Sequence, residues 1–429
     1  MPTKKKEEKK DKTDMRIEAI AGITTFFTMA YILIVNPTLM KNAGIDFQAI
    51  FIATAISAGI SSIIMGVFAD RPLALASGMG LNAYFVFSVI LGEGISFGAA
   101  LAAVFVASLA VFLLAISKIK ISDAISESFK CALIAGLGLF LVFIGMQNAH
   151  FISSNTATIV TLGNLLAPGT LIAILGIFLT TMLITKKVNG AMLIAIVVTT
   201  IVAMLIGLTP YPEGIFAMPN GLDKIFLKLD FGALSDVRIW PLIVTFFIIA
   251  FFDAVGTLTA LLAKAGYTDK KGKVQGLEKA LTVEGLAGMI GATLGVPTVI
   301  TYLENASGIE AGGRTGKVAI VAGILFLVSI FFFPLIKSVP IEAAAPAIII
   351  TGIFMTTAMG GITMSDYTES IPALLTVAII PFTFSISNGI GVGAITYVFL
   401  KLVTLRQKEV HPVMYIIALL SILEFARVF

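Results

Sequence analysis

Between residues 17 and 403 the chain is a succession of long apolar segments, and this constrains its fold more than any single motif. Fourteen lie near 17–40, 48–69, 73–92, 97–117, 129–150, 168–185, 190–208, 239–263, 278–295, 297–311, 317–336, 343–359, 371–387 and 389–403, numbered here as segments 1 to 14. One more apolar run covers 412–427. A membrane-crossing helix takes roughly 20 residues, so fourteen would use about 280 of them and leave no room for a soluble catalytic domain. The composition agrees: 58% of the 429 residues are apolar and 13% charged, against about 45–50% and about 25% in soluble domains. The fold class is therefore an all-α integral membrane protein. Cys131 is the single cysteine, so no intrachain disulfide can form, and two histidines are too few for a histidine-built metal or haem site. No metal, cofactor or nucleic-acid partner is expected.

Orientation follows from charge. Residues 1–15, with KKKEEKKDK at 4–12, read as a solvated cytoplasmic tail rather than a signal peptide. With this end inside, only Lys41, Lys224, Lys228, Arg238 and Lys337 of the 29 Lys and Arg fall outside, Arg427 being unassigned. That asymmetry is the positive-inside pattern of a multi-pass protein of the cell membrane. The loop 209–238 then sits outside and separates two halves of seven segments. The stretch 404–429 is cytoplasmic, with 412–427 read as an interfacial helix and a fifteenth span as the alternative.

The halves carry matching strings. TFFTMA at Thr25–Ala30 finds TFFIIA at Thr245–Ala250. Ala58-Gly59 and Gly66-Val67 find Ala287-Gly288 and Gly295-Val296 at the same spacing. Seven is odd, so related halves run oppositely through the membrane, the inverted repeat of secondary transporters. In such folds the site lies at the midplane, beside interrupted segments in equivalent positions. Segments 3 and 10 fit: one has Pro72, Gly78 and Gly80, the other Pro297, Gly308, Gly312 and Gly313. Extended backbone in lipid must be paired, which predicts a short antiparallel β pair between them.

Two acids lie at membrane depth. Asp253 is about 21 Å along segment 8 at 1.5 Å per residue, near its centre. Its insertion cost of about 2.5–3.5 kcal/mol is offset by the surrounding Phe, Ile, Leu and Val, provided that the acid faces the protein interior. Glu304 falls similarly deep in segment 10, and intramembrane carboxylates are functional candidates by default. Thr257 lies one turn beyond Asp253 on the same face, with back-bonding to its own helix as the alternative. Asn82 either meets a ligand or satisfies the broken segment 3. Tyr302 and Phe252 are candidates for ring stacking or simple packing. Glu284 reads as structural, and the Asn305-Ala306-Ser307 sequon lies too deep for glycosylation.

At these residues the chain resembles a known family. The runs TFFTMAYILIVNPTLM, ALASGMGLNAYF, FFDAVGTLTALLAKAGY, TYLENASGIEAGGRTG and IPALLTVAIIPFTFSISNGIGVG are similar, in order and spacing, to the AzgA-like purine permease branch of the xanthine/uracil and nucleobase-ascorbate permease superfamily. The likeness covers about residues 16–403. It implies a core domain (16–118 and 239–337) that moves like an elevator against a gate domain (119–208 and 338–403). It also implies proton-coupled purine uptake, with Na+ as the other coupling ion, and a homodimer formed through the gate. The family's acidic residue of segment 8 falls on Asp253, its polar position one turn on falls on Thr257, the glutamate of segment 10 on Glu304 and the asparagine of segment 3 on Asn82. Ala254 and Asn305 depart from the branch's usual threonine and serine. TYLEN is similar to the TYGEN of uracil permeases, Leu303 replacing a glycine whose backbone contacts the base.

The chemistry suits a purine. Adjacent N–H donors pair with a carboxylate, and a donor beside an acceptor pairs with a carboxamide such as Asn82. Glu304 is expected to hold the base and Asp253 to carry the coupling proton, although the residues alone leave the two roles exchangeable. The competing readings are a transporter of xanthine, uracil or another small solute, a channel, and a membrane-embedded enzyme. The last lacks HExxH, GxSxG or any comparable catalytic set.

Overall fold

A computed structural model describes residues 14–117, 125–269 and 274–426. The basic tail, Lys118, Lys120 and part of the 264–279 loop lie outside the described residues. Helices fill the apolar segments, and among the described residues nine are long and apolar enough to cross a membrane. Segment 8 is an unbroken helix, Ile239–Lys264, whereas segment 1 divides into Met15–Met29 and Ile32–Lys41. The division has a local cause. The Thr28 hydroxyl donates to the carbonyls of Thr24 and Thr25 at 2.9 and 2.8 Å, competing with the backbone ladder just before the break.

The expected β pair is present. β1 (Leu75–Ser77) follows Pro72; β2 (Ile152–Asn155) and β3 (Ile159–Leu162) form a separate hairpin between segments 5 and 6 that the apolar pattern does not announce; β4 (Val299–Thr301) follows Pro297. β1 and β4 run antiparallel with Leu75 opposite Thr301 and Ser77 opposite Val299. A two-stranded ribbon has two outer edges, and both are satisfied by neighbouring helices. Ser62 of segment 2 accepts from Leu75 N at 2.8 Å and donates to its carbonyl at 3.1 Å. Glu284 of segment 9 accepts from Thr301 N at 3.0 Å and from the Thr301 hydroxyl at 3.1 Å. Asn305 extends the ladder by one rung, accepting from Ala74 N at 2.7 Å and donating to Ala74 O at 2.9 Å. These bonds meet the backbone's need for partners where lipid offers none. After each strand the chain turns helical, as Met79–Ile90 in segment 3 and Asn305–Glu310 in segment 10.

Helix packing falls into two groups. Segments 1, 2, 4, 8, 9 and 11 pack mainly on one another, and segments 5, 6, 7, 12, 13 and 14 do likewise. The pairs come in sets: segment 1 packs on 11 as 8 packs on 4, 2 on 11 as 9 on 4, and 6 on 7 as 13 on 14. Small residues allow the close approaches. A Cβ on Gly138 would lie 2.6 Å from the carbonyl oxygen of Gly352, and one on Gly352 would lie 2.5 Å from that of Gly138. Between the groups runs a buried polar bridge, with the Tyr84 and Ser387 hydroxyls 2.8 Å apart and those of Ser387 and Thr245 3.1 Å apart. Pro412–Phe425 forms the last helix and packs on segment 14.

Candidate functional site

A cavity of about 770 Å³ lies where the two groups meet. Segments 1, 3, 8 and 10 line one side and segments 5 and 12 the other, and the cavity reaches the exposed Lys187 and Glu310. Asp253, Thr257, Phe252, Tyr302, Leu303 and Glu304, all singled out from the sequence, border it together. Their convergence follows from the elements beneath them. Asp253 and Thr257 share a face of one straight helix, while Tyr302 to Glu304 leave β4 in a turn held from behind by Asn305, whose amide also donates to Tyr302 O at 2.7 Å.

The two acids differ in their surroundings. Tyr31, buried at the break in segment 1, donates its hydroxyl to Glu304 Oε1 at 2.6 Å. Asp253 accepts no hydrogen bond from any described group. Thr257 likewise has no partner, so its hydroxyl does not bond back to its own helix. Phe252 presents a ring to the cavity, with Lys130 Nζ 5.4 Å from its centroid. The Leu303 side chain is 56% exposed into this space, and the Tyr302 hydroxyl donates to the Ser77 carbonyl.

Asn82 corrects an expectation. It does not line the cavity but is buried one layer behind it. Its amide donates to Asn36 Oδ1 at 2.6 Å and to the Ser77 hydroxyl, and its carbonyl oxygen accepts from Thr298 at 3.1 Å. The broken segment consumes the carboxamide that a ligand would have used. Sequence reading missed Tyr31, Lys130 and Thr351 of the lining. Tyr31 had a signal: the match of Thr25–Ala30 to Thr245–Ala250 puts it opposite Phe251, beside the level of Asp253.

A sequence profile described as a permease family matches residues 16–392. The chain belongs to this xanthine/uracil permease family. It is 38% identical over 414 residues to the adenine permease AdeP of Escherichia coli (strain K12), covering 96% of this chain and 93% of that one. Against the guanine/hypoxanthine permease PbuG of Bacillus subtilis (strain 168) it is 39% identical over 426 residues, covering 96% and 97%. The fold is shared with the transmembrane domain of a cyanobacterium bicarbonate transporter, BicA, at TM-score 0.65 and 16% identity over 86% of this chain and 97% of that one. This permease is a multi-pass membrane protein and not an enzyme.

Proposed function

We propose that this permease takes up purine nucleobases by proton symport across the cell membrane, with its N-terminus in the cytoplasm. The observation that carries the reading is the pair of carboxylates in one cavity, Asp253 from an unbroken segment and Glu304 from a broken one. Relatives named for adenine and for guanine and hypoxanthine align over nearly the whole chain, which supports a purine. The cavity lies at the seam between two packing groups, which supports an elevator in which segments 1–4 and 8–11 move as the core against a gate of 5–7 and 12–14. The paired contacts, 1 on 11 with 8 on 4 and 2 on 11 with 9 on 4, support fourteen segments in a seven-plus-seven inverted repeat.

In this reading the base enters between Phe252, which stacks on its face, and the turn Tyr302–Glu304. Its N–H groups meet the two carboxylates, and one of that pair carries the proton, since an acid that gains a proton as the base binds links the two loads. Thr257 supplies a further hydroxyl, while Asn82 positions segment 3 rather than touching the base. The cavity reaches Lys130 and Lys187, both on the predicted cytoplasmic side, so this arrangement is the inward-facing one. Purified protein in liposomes should accumulate labelled purine when an inward proton gradient is imposed, and Glu304→Gln should abolish accumulation. Uptake driven by a sodium gradient alone would replace the proton, and carriage of xanthine or uracil in place of a purine base of the relatives would replace the substrate.

A further inference from the structure

We propose that Tyr84, Ser88 and Thr245 of the core, hydrogen-bonded to Ser387 and Phe384 of the gate, form a latch that seals the cavity from the outside. It sets how rarely the core leaves its inward-facing position. The inference rests on the reading that the core moves against the gate, and it adds which contacts that movement has to break.

The latch lies beyond the cavity, on its outer side. Thr245 comes eight residues before Asp253 on the same straight helix, which puts it about 12 Å nearer the outside at 1.5 Å per residue. Tyr84 and Ser88 belong to the helical part of segment 3, past β1 on the way to its outer end. The cavity wall includes none of these residues, and at its other end it reaches Lys130 and Lys187.

The bonds cross from one packing group to the other. Ser387 is at their centre, its hydroxyl 2.8 Å from that of Tyr84 and 3.1 Å from that of Thr245. A hydroxyl has one donor and two acceptor sites, so Ser387 can serve both core residues at once. The Ser88 hydroxyl donates to the Phe384 carbonyl. Phe384 lies in the turn between the helices Tyr367–Thr383 and Ile386–Val403, with a φ of 52°, in the left-handed region that bulky residues seldom enter. Its carbonyl is thereby turned to segment 3 instead of being spent in a helix. Rings from both sides close around the bonds: Tyr84 on Phe246 in the core, centroids 5.0 Å apart, and Phe384 on Phe140 and Phe143 in the gate, at 5.4 and 5.2 Å. Tyr84, Ser88, Thr245 and Ser387 are all buried. Hydroxyls suit a contact that must open, because each can exchange its protein partner for water at a modest net loss. A core that slides past the gate gives up all of these bonds together.

Accessibility from each side, in sealed vesicles of either orientation, tests this. Cys131 is the sole cysteine, so Leu303→Cys in a Cys131→Ser background places one thiol on the cavity wall. A membrane-impermeant maleimide then reads the side to which the cavity opens. The parent should label from the cytoplasmic side and only slowly from outside, at a rate that follows the outward-facing fraction. Tyr84→Phe and Thr245→Val should each raise the outside rate about 2- to 10-fold, the effect of one net hydrogen bond. Ser387→Ala, which removes two, should raise it more than either. Outside rates that stay unchanged in all three variants overturn the latch and leave the inward-facing arrangement intact. A parent that labels faster from outside than from the cytoplasmic side overturns that arrangement as well. A variant that fails to fold is recognised by its lowered melting temperature, and the other substitutions then decide.

Discussion

Asn305→Ala is the substitution that best probes how the broken segments are held. The side chain is fully buried and makes three hydrogen bonds, two to Ala74 and one to Tyr302 O. Truncation strands the N–H and C=O of Ala74, which is itself buried. At about 1–3 kcal/mol for each buried group left unpaired, the loss is about 2–6 kcal/mol. An unfolding entropy of about 2.1 cal/mol/K per residue over the chain gives about 0.9 kcal/mol/K, so a loss near 4 kcal/mol lowers Tm by about 4 °C for a single cooperative transition. Thermal denaturation of the purified protein, followed by tryptophan fluorescence from Trp240 or by loss of monodisperse protein, measures it. Asn189→Ala, on an exposed loop, is the control and should melt with the wild type. An Asn305→Ala protein that melts within about 1 °C of the control would refute the argument that this carboxamide completes the β ladder.

Gly138→Val should destabilise by about 1–3 kcal/mol or more, because its Cβ would press on the Gly352 carbonyl; the melting temperature reports it. Thr257→Val removes a hydroxyl that no described group uses, so Tm should hold while KM for the purine rises about 3- to 10-fold, read from initial uptake rates. Beside the first turn of segment 13, hydrogen bonds from Thr368 and Arg406 hold Asp366 at about 2, and bonds from Arg406 and Lys401 hold Glu409 at about 2. Both carboxylates lie below their ordinary values, so their contribution to stability is complete above those values and fades as pH falls toward about 2. Arg406→Met should therefore flatten the fall in Tm across that acid window, and an unchanged slope would show that the cluster contributes nothing.

The interrupted segments were legible because proline and glycine break an apolar run in ways that a helix cannot hide, and unpaired backbone in lipid leaves pairing as the one solution. Asp253 and Glu304 were legible for a related reason: charge at that depth has to face other protein. The partners of these groups were not. Tyr31 and Glu304 are 273 residues apart, and no periodicity links them. Asn82 looks like a ligand group in the sequence, and only the positions of Asn36, Ser77 and Thr298 reveal that its capacity is exhausted. Glu284 was read as structural, but its task of sealing the free edge of β4 depends on a strand that exists only after folding. The β2–β3 hairpin escaped notice because its short polar alternation lies between two strong apolar segments.

The central claim, that the base sits between Phe252 and the turn Tyr302–Glu304 with its N–H groups on the two carboxylates, is tested most directly by protection from alkylation. Cys131 is the sole cysteine, so Cys131→Ser gives a silent background into which Leu303→Cys places one thiol on the cavity wall, where Leu303 is 56% exposed. The rate of maleimide labelling would be measured with and without saturating guanine. The account predicts that guanine slows labelling, and that Glu304→Gln in the same background removes the protection. Labelling that proceeds at the same rate with the base present, in protein that still transports it, would contradict the account and put the binding site elsewhere.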